Sequence, residues 1–196
     1  MSEVICVLFA KYPIPGRAKT RLVPALGEQG AADLHRHLAK RTYDTLVASG
    51  YKVEVQYDLA SESEFRAWLG DEADYAQQPD GDLTDRLLAA SREGPHIFFG
   101  ADTPDLTVEI VRDAAMLLIH SHDVVIGPAE DGGYYLIGMK YPLTELLTDM
   151  PWSTDRVLPT TLERLRELRI EPFLLQELSD CDRPEDLRRW PDLAAL

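Results

Sequence analysis

The chain has 196 residues, 45% of them hydrophobic and 28% charged, which is the balance of a soluble globular protein with a core of its own. A formal net charge of −14 excludes general nucleic-acid binding, which needs a basic footprint. Cys6 and Cys181 stand far apart with no CxxC pattern, which argues against a disulfide framework or a zinc site. Met1-Ser2-Glu3-Val4 lacks the basic and apolar segments of a signal, and no run approaches the ~18 apolar residues of a membrane span. A single domain over residues 1–196, in a reducing cytoplasm, is the expectation.

Val4–Ala10 is a near-continuous apolar run, the pattern of a strand buried on both faces. The loop after it carries Lys11, Arg17, Lys19 and Arg21, and no acid occurs between Glu3 and Glu28. Two prolines and Gly16 bend this basic island so that amides and cations can converge, which suits a phosphate chain as well as a solvated loop. It is not a P-loop, because the Gly-x4-Gly-Lys-Ser/Thr spacing is absent. From Gly27 to about Ser49, Ala31, Leu34, Leu38 and Leu46 fall near one helical face. His35 and His37 lie two positions apart on different sides and read as surface residues.

Tyr51–Tyr57 alternates as a half-buried strand, residues 61–69 make a short amphipathic helix, and Asp80-Gly81-Asp82-Leu83 turns into a helix running to about Arg92. Arg86 on that helix reads equally as a surface residue. Ile97-Phe98-Phe99 is a short buried strand, and Gly100-Ala101-Asp102-Thr103-Pro104-Asp105 follows at once. In an open α/β sheet, ligands bind outside the carboxyl ends of the strands, so Asp102 can reach a hard cation carried by phosphates. Asp102 and Asp105 also fit a plain helix start.

Thr107 can cap a helix with the core stripe Val108, Val111, Ala115 and Leu118. Asp123–Pro128 is another buried strand. The Asp131-Gly132-Gly133 turn then leads into a second apolar run, as in a hairpin, and its glycines would also let backbone approach a ligand. Glu130 and Asp131 would share the crevice of Asp102. Ser153 or Thr154 can cap a helix carrying Leu158, Leu162, Leu165 and Leu168, with Pro159 either kinking or starting it. Ile170 to about Gln176 is the last strand, and Pro184-Glu185-Asp186 opens a short terminal helix. Strands alternating with helices predict an α/β sandwich with a mainly parallel sheet, its basic loop and acids on one edge.

Several segments together resemble a known group: Phe9-Ala10-Lys11, Pro15–Leu22, Gly81-Asp82-Leu83, Gly100–Leu106, Gly127–Gly138, Trp152-Ser153-Thr154 and Asp180–Leu187. They are similar to an uncharacterised bacterial family usually labelled as glycosyltransferases. It belongs to the nucleotide-diphospho-sugar transferase superfamily, with the three-layer, Rossmann-like GT-A fold and a mainly parallel mixed sheet. The resemblance covers nearly the whole chain, and the Gly-Pro-Ala-Glu-Asp-Gly-Gly-Tyr block is highly specific. Phospholactate guanylyltransferase and the molybdenum cofactor guanylyltransferases are more distantly similar.

The resemblance implies a nucleotide site from Ala10, Lys11, Gly16, Arg17, Lys19, Arg21, Gly81 and Asp82, with Lys19 and Arg21 on the phosphates. It implies Mg²⁺ (or Mn²⁺) on Asp102 and Asp182. It implies an acceptor site bordered by Glu130, Asp131, Gly132, Gly133, Tyr134 and Trp152, and catalytic roles for Lys19, Asp102 and Asp131. Trp152 reads equally as a packing residue. Thr84, Thr103 and Arg183 depart from the residues common in the family. The implied reaction is nucleotidyl transfer from a nucleoside triphosphate to a small acceptor. Glycosyl transfer from a nucleotide sugar is the alternative, although Asp-Thr-Pro-Asp is not the usual Asp-x-Asp. A non-catalytic nucleotide-binding protein is the third reading. Monomer and homodimer are both open.

Overall fold

The computed structural model describes residues 4–195, so the reading of Met1-Ser2-Glu3 lies outside the described residues. A seven-stranded sheet runs in the order β3-β2-β1-β4-β6-β5-β7. Its strands are β1 (Ile5–Lys11), β2 (Lys52–Asp58), β3 (Asp74–Gln77), β4 (His96–Phe99), β5 (Val124–Pro128), β6 (Tyr134–Met139) and β7 (Phe173–Leu174). All pairings are parallel except those of β6, which runs antiparallel to both β4 and β5. The expected hairpin after Pro128 is therefore present and turns a parallel sheet into a mixed one.

Helices α1 (Val23–Ser49), α2 (Glu62–Leu69) and α4 (Val108–His120) cover one face. Helices α3 (Leu83–Ala90) and α5 (Val157–Leu168) cover the other. This is why β1 is apolar throughout: Cys6, Leu8 and Ala10 enter the first core, and Val7 and Phe9 join the second. Ala31, Leu34, Leu38 and Leu46 are all buried, and Thr107 caps α4 by accepting from the Ile110 N–H. A third cluster packs Leu22, Leu34 and Leu38 against Cys181 and Leu187, which brings the C-terminal segment back to the start of α1. Among the described residues, no helix is long and apolar enough to cross a membrane.

Several local expectations are corrected. Helix α1 begins at Val23, ahead of Gly27, whose φ of 72° interrupts it. Strand β2 is buried on both faces: Glu54 and Gln56 lie inside because Arg92 grips Glu54 at 2.6 and 2.8 Å and Gln56 bonds it too. Strand β3 has four residues with no apolar alternation, so its pattern carried little signal. The last strand shrinks to Phe173–Leu174, both exposed, and the terminal helix to two short 3-10 turns. Helix α5 starts at Val157, with Pro159 in its first turn and no kink. The Thr154 hydroxyl accepts from the Arg156 N–H just before the helix instead of capping its first turn.

Candidate active site at the β1–β4 crevice

The chain leaves β1 toward β2 and β3 on one side and returns to β4 on the other. The connections diverge at that point, opening a crevice outside the strand ends. A cavity of about 360 Å³ lies there. Phe9 and Lys11 from β1 and Gly100, Ala101 and Asp102 after β4 form its walls, with the 17–21 loop, His35 and Asp182 around them.

Lys19 is the centre of this site. Its side chain is only 3% exposed, and its ammonium lies 2.6 Å from Asp102 Oδ1 and 2.7 Å from Asp182 Oδ1. It also donates to the Cys181 carbonyl at 2.8 Å. Burial alone would lower its pKa, but Asp102 and Asp182 outweigh this and hold it above the ordinary 10.5. The backbone of Lys19 adopts φ 46° and ψ 47°, a left-handed conformation that costs a non-glycine residue about 1 kcal/mol or more. Lys19, expected on the phosphates, points its three donor directions at two acids and one carbonyl and clamps the acids together.

Asp102 Oδ1 is buried, whereas the side chain as a whole is 42% exposed, so its second oxygen carries the exposure. Burial would raise its pKa, and the nearby Lys19 charge more than reverses this. His35 Nε2 donates to the Lys11 carbonyl at 2.9 Å, which leaves Nδ1 turned toward Asp102 Oδ1 at 4.0 Å. Burial pushes the His35 imidazole below its ordinary 6.5, against the pull of Asp102. His35 is thus a buried residue of the site, contrary to the surface reading. A signal existed: it stands at i+4 from Ala31 and i−3 from Leu38, on the buried stripe.

Asp182 reaches the site through backbone stitching. The Cys181 N–H donates to the Asp102 carbonyl at 2.9 Å, and Asp186 Oδ2 accepts from the N–H groups of Asp182 and Arg183. Thr103 donates to Asp180 at 2.5 Å. Burial pushes the Asp180 carboxyl up to about 7 despite that bond, with Asp102, Asp131 and Asp182 adding to the rise. Lys11, Arg17 and Arg21 are exposed around the crevice and form no ion pair among the described residues.

The other expected residues divide. Gly16, Gly81, Asp82 and Ala10 do not line this crevice. Asp82 instead caps α3 in a reciprocal pair with Asp85. Ala10 is buried, and its carbonyl accepts from Gln78, which also accepts from Arg86. Arg86 also bonds Asp58 at 3.0 Å, so it is a bracing residue and not a surface one. Asp131 accepts from the Gly133 N–H at 2.9 Å, and Glu130 is held by Arg189 at 2.6 Å. Gly132, at φ 87°, is pressed against the Asp155 backbone, where a Cβ would stand 2.4 Å from a carbonyl oxygen. Asp131, Gly133, Tyr134 and Trp152 line an adjoining cavity of about 210 Å³, which meets the crevice at Phe9 and Gly100.

Among the described residues there is no cluster of three or more His, Cys, Asp or Glu side chains able to hold a metal alone. Mg²⁺ brought in by phosphates needs only one or two carboxylates beside water and phosphate oxygens. Asp102 and Asp182 are 42% and 39% exposed, and both keep one oxygen off Lys19. The residues fit such a cation.

The mixed sheet is that of the nucleotide-diphospho-sugar transferase fold. The chain belongs to the family described as "Uncharacterized protein conserved in bacteria (DUF2064)", whose profile matches residues 42–154. No curated protein matches it. A Desulfovibrio desulfuricans G20 structure described as a "putative nucleotide-diphospho-sugar transferase" is 29% identical, with TM-score 0.86 over 100% of this chain and 98% of that one. CMP:2-keto-3-deoxy-manno-octonic acid synthetase complexed with CTP superposes at TM-score 0.63 and 14% identity, over 99% of each chain. Glucosyl-3-phosphoglycerate synthase from Mycobacterium tuberculosis, in complex with Mn²⁺, UDP and glucosyl-3-phosphoglycerate, does so at 0.57 and 14%, over 99% of this chain and 76% of that one. The last two likenesses concern the fold.

Proposed function

We propose that this chain is a single-domain nucleotidyltransferase that uses Mg²⁺ or Mn²⁺ and a nucleoside triphosphate to modify a small acceptor. One observation carries the reading. Three cations that form no ion pair among the described residues, Lys11, Arg17 and Arg21, rim the same crevice as two acids clamped by Lys19. The cations would bind the triphosphate, and their charge would offset that of the departing pyrophosphate. Asp102 and Asp182 would hold the metal ion, which when bound would draw charge from the phosphate oxygens. Lys19 is a positioning residue in this reading, keeping both acids at a fixed separation. An acceptor oxygen attacks the α-phosphorus, the bond to the pyrophosphate oxygen breaks, and Asp131 takes the proton of a hydroxyl acceptor.

Glycosyl transfer is supported by one neighbour, the synthase solved with Mn²⁺ and UDP. The products separate the two reactions: pyrophosphate for the first, a nucleoside diphosphate for the second. The first experiment is thermal stabilisation by nucleoside triphosphates and nucleotide sugars, with and without Mg²⁺, followed by product analysis. A metal-dependent shift with a triphosphate, lost in Asp102→Asn, together with pyrophosphate release, is expected. Absence of any nucleotide shift overturns the reading, and binding without either product leaves a nucleotide-binding protein.

A further inference from the structure

The cavity beside the crevice has a different chemistry from the crevice itself. It lies on the α3/α5 face, and Phe9, Leu83, Phe98, Tyr134, Trp152 and Val157 wall its 210 Å³. Its indole and its Tyr135 hydroxyl are already engaged, while the buried Tyr134 hydroxyl has no hydrogen-bond partner among the described residues. Trp152 Nε1 donates to Thr84 Oγ1 at 2.8 Å, and that hydroxyl donates onward to the Leu147 carbonyl at 3.2 Å. Tyr135 Oη donates to the Gln176 carbonyl at 3.1 Å. The Tyr134 and Trp152 rings meet edge to face, 6.4 Å apart at 85°. An apolar cavity of about 150 Å³ accepts a benzene ring, so this one accommodates a ring with a substituent.

We propose that this cavity receives a ring-sized apolar group of the acceptor, and that Thr84 sets its shape by holding Trp152 as one wall. The proposal deepens the transferase reading and rests on it for the word acceptor. Two observations argue against the nucleobase as occupant. A base is read through unengaged donors and acceptors, whereas these walls are mainly apolar and the indole N–H is committed to Thr84. The cavity also adjoins the crevice on the side of the β5–β6 turn, whereas the polar groups Asp58, Gln78 and Arg86 gather at the ends of β2 and β3. Without the Thr84 hydroxyl, the Trp152 N–H and the Leu147 carbonyl lose this partner, so Thr84 fixes the shape of the wall.

The test uses indole as the probe and glucose as a polar control, followed by NMR at the Trp152 Nε1–H resonance, which Trp152→Phe assigns. Indole is expected to shift that resonance saturably and glucose to leave it unmoved. Thr84→Val, which keeps the volume but removes the hydroxyl, is expected to weaken indole about five- to tenfold. Val157→Phe, which fills the cavity, is expected to abolish the response, with unfolding midpoints confirming that both variants are folded. Saturating triphosphate with Mg²⁺ is expected to leave indole affinity unchanged. Lack of a saturable shift, an unaltered shift in Val157→Phe, or competition between indole and the triphosphate overturns the proposal. Failure of every nucleotide to bind strikes the transferase reading and is measured separately from the indole response.

Discussion

Replacing Lys19 with methionine keeps the length of the side chain and removes the charge that holds Asp102 and Asp182 together. Breaking a fully buried ion pair on one side costs about 3–5 kcal/mol, and an exposed pair about 0–1 kcal/mol. Lys19 is 3% exposed while its two acids are 42% and 39% exposed, so the site falls between these limits. Lys19→Met is expected to cost about 2 kcal/mol, a fall of about 4–8 °C in unfolding midpoint for a chain of this size. The pH dependence follows from the shift directions. Asp102 titrates below its ordinary 3.8 when folded, so its contribution is present above 3.8 and lost as pH falls through the lower folded value. Lys19 titrates above 10.5 when folded, so its contribution is present below 10.5 and lost only as pH rises through the higher folded value. The difference between wild type and Lys19→Met is therefore full at neutral pH and collapses in acid below 3.8. Calorimetry across that range checks it. Equal midpoints at pH 7, or a difference that survives protonation of Asp102, refutes the clamp.

Three further outcomes are expected. Gly132→Ala forces a Cβ to 2.4 Å from the Asp155 carbonyl at a φ of 87°, and urea unfolding is expected to show a loss of about 2–4 kcal/mol. Arg92→Ala strands Glu54, whose side chain is 11% exposed, and is expected to cost about 2–4 kcal/mol, with Arg92→Ala/Glu54→Gln recovering part of it in the same assay. His35, held below 6.5 by burial, binds its proton less readily folded than unfolded, so its contribution to stability is present above 6.5 and falls as pH drops through the folded value. His35→Gln is expected to flatten that slope in midpoints measured between pH 7 and the acid limit of folding.

The clamp changes how the basic loop is read. Four cations looked equivalent in the sequence, yet one is spent inside the protein, and three carry no ion pair among the described residues. The buried cation organises the acids, and the exposed ones stay open to solvent around the crevice. Thr84 and Thr103 follow the same logic: Thr84 accepts from Trp152 and Thr103 donates to Asp180, each fixing a side chain beside the candidate site.

Much of this protein was written in local patterns. The apolar runs at β1, β4 and β5, the Asp-Gly-Gly turn and the buried stripe of α1 follow from periodicity and turn chemistry, which depend on neighbours a few residues apart. The alternation of strand and helix determined that the loop after β1 and Asp102 after β4 share one sheet edge. Tertiary structure alone decided what these groups do to one another. Asp182 meets Lys19 across 163 positions because the C-terminal segment packs on Leu34 and Leu38, a contact that no window of sequence contains. Burial of Glu54 and Gln56 in an alternating strand depends on Arg92 arriving from a later loop. The edge strands β3 and β7 carry weak patterns because each is defined by the backbone partner beside it. Side-chain identity settled which chemistry was present, and long-range packing settled which charges were paired and which were left open to a ligand.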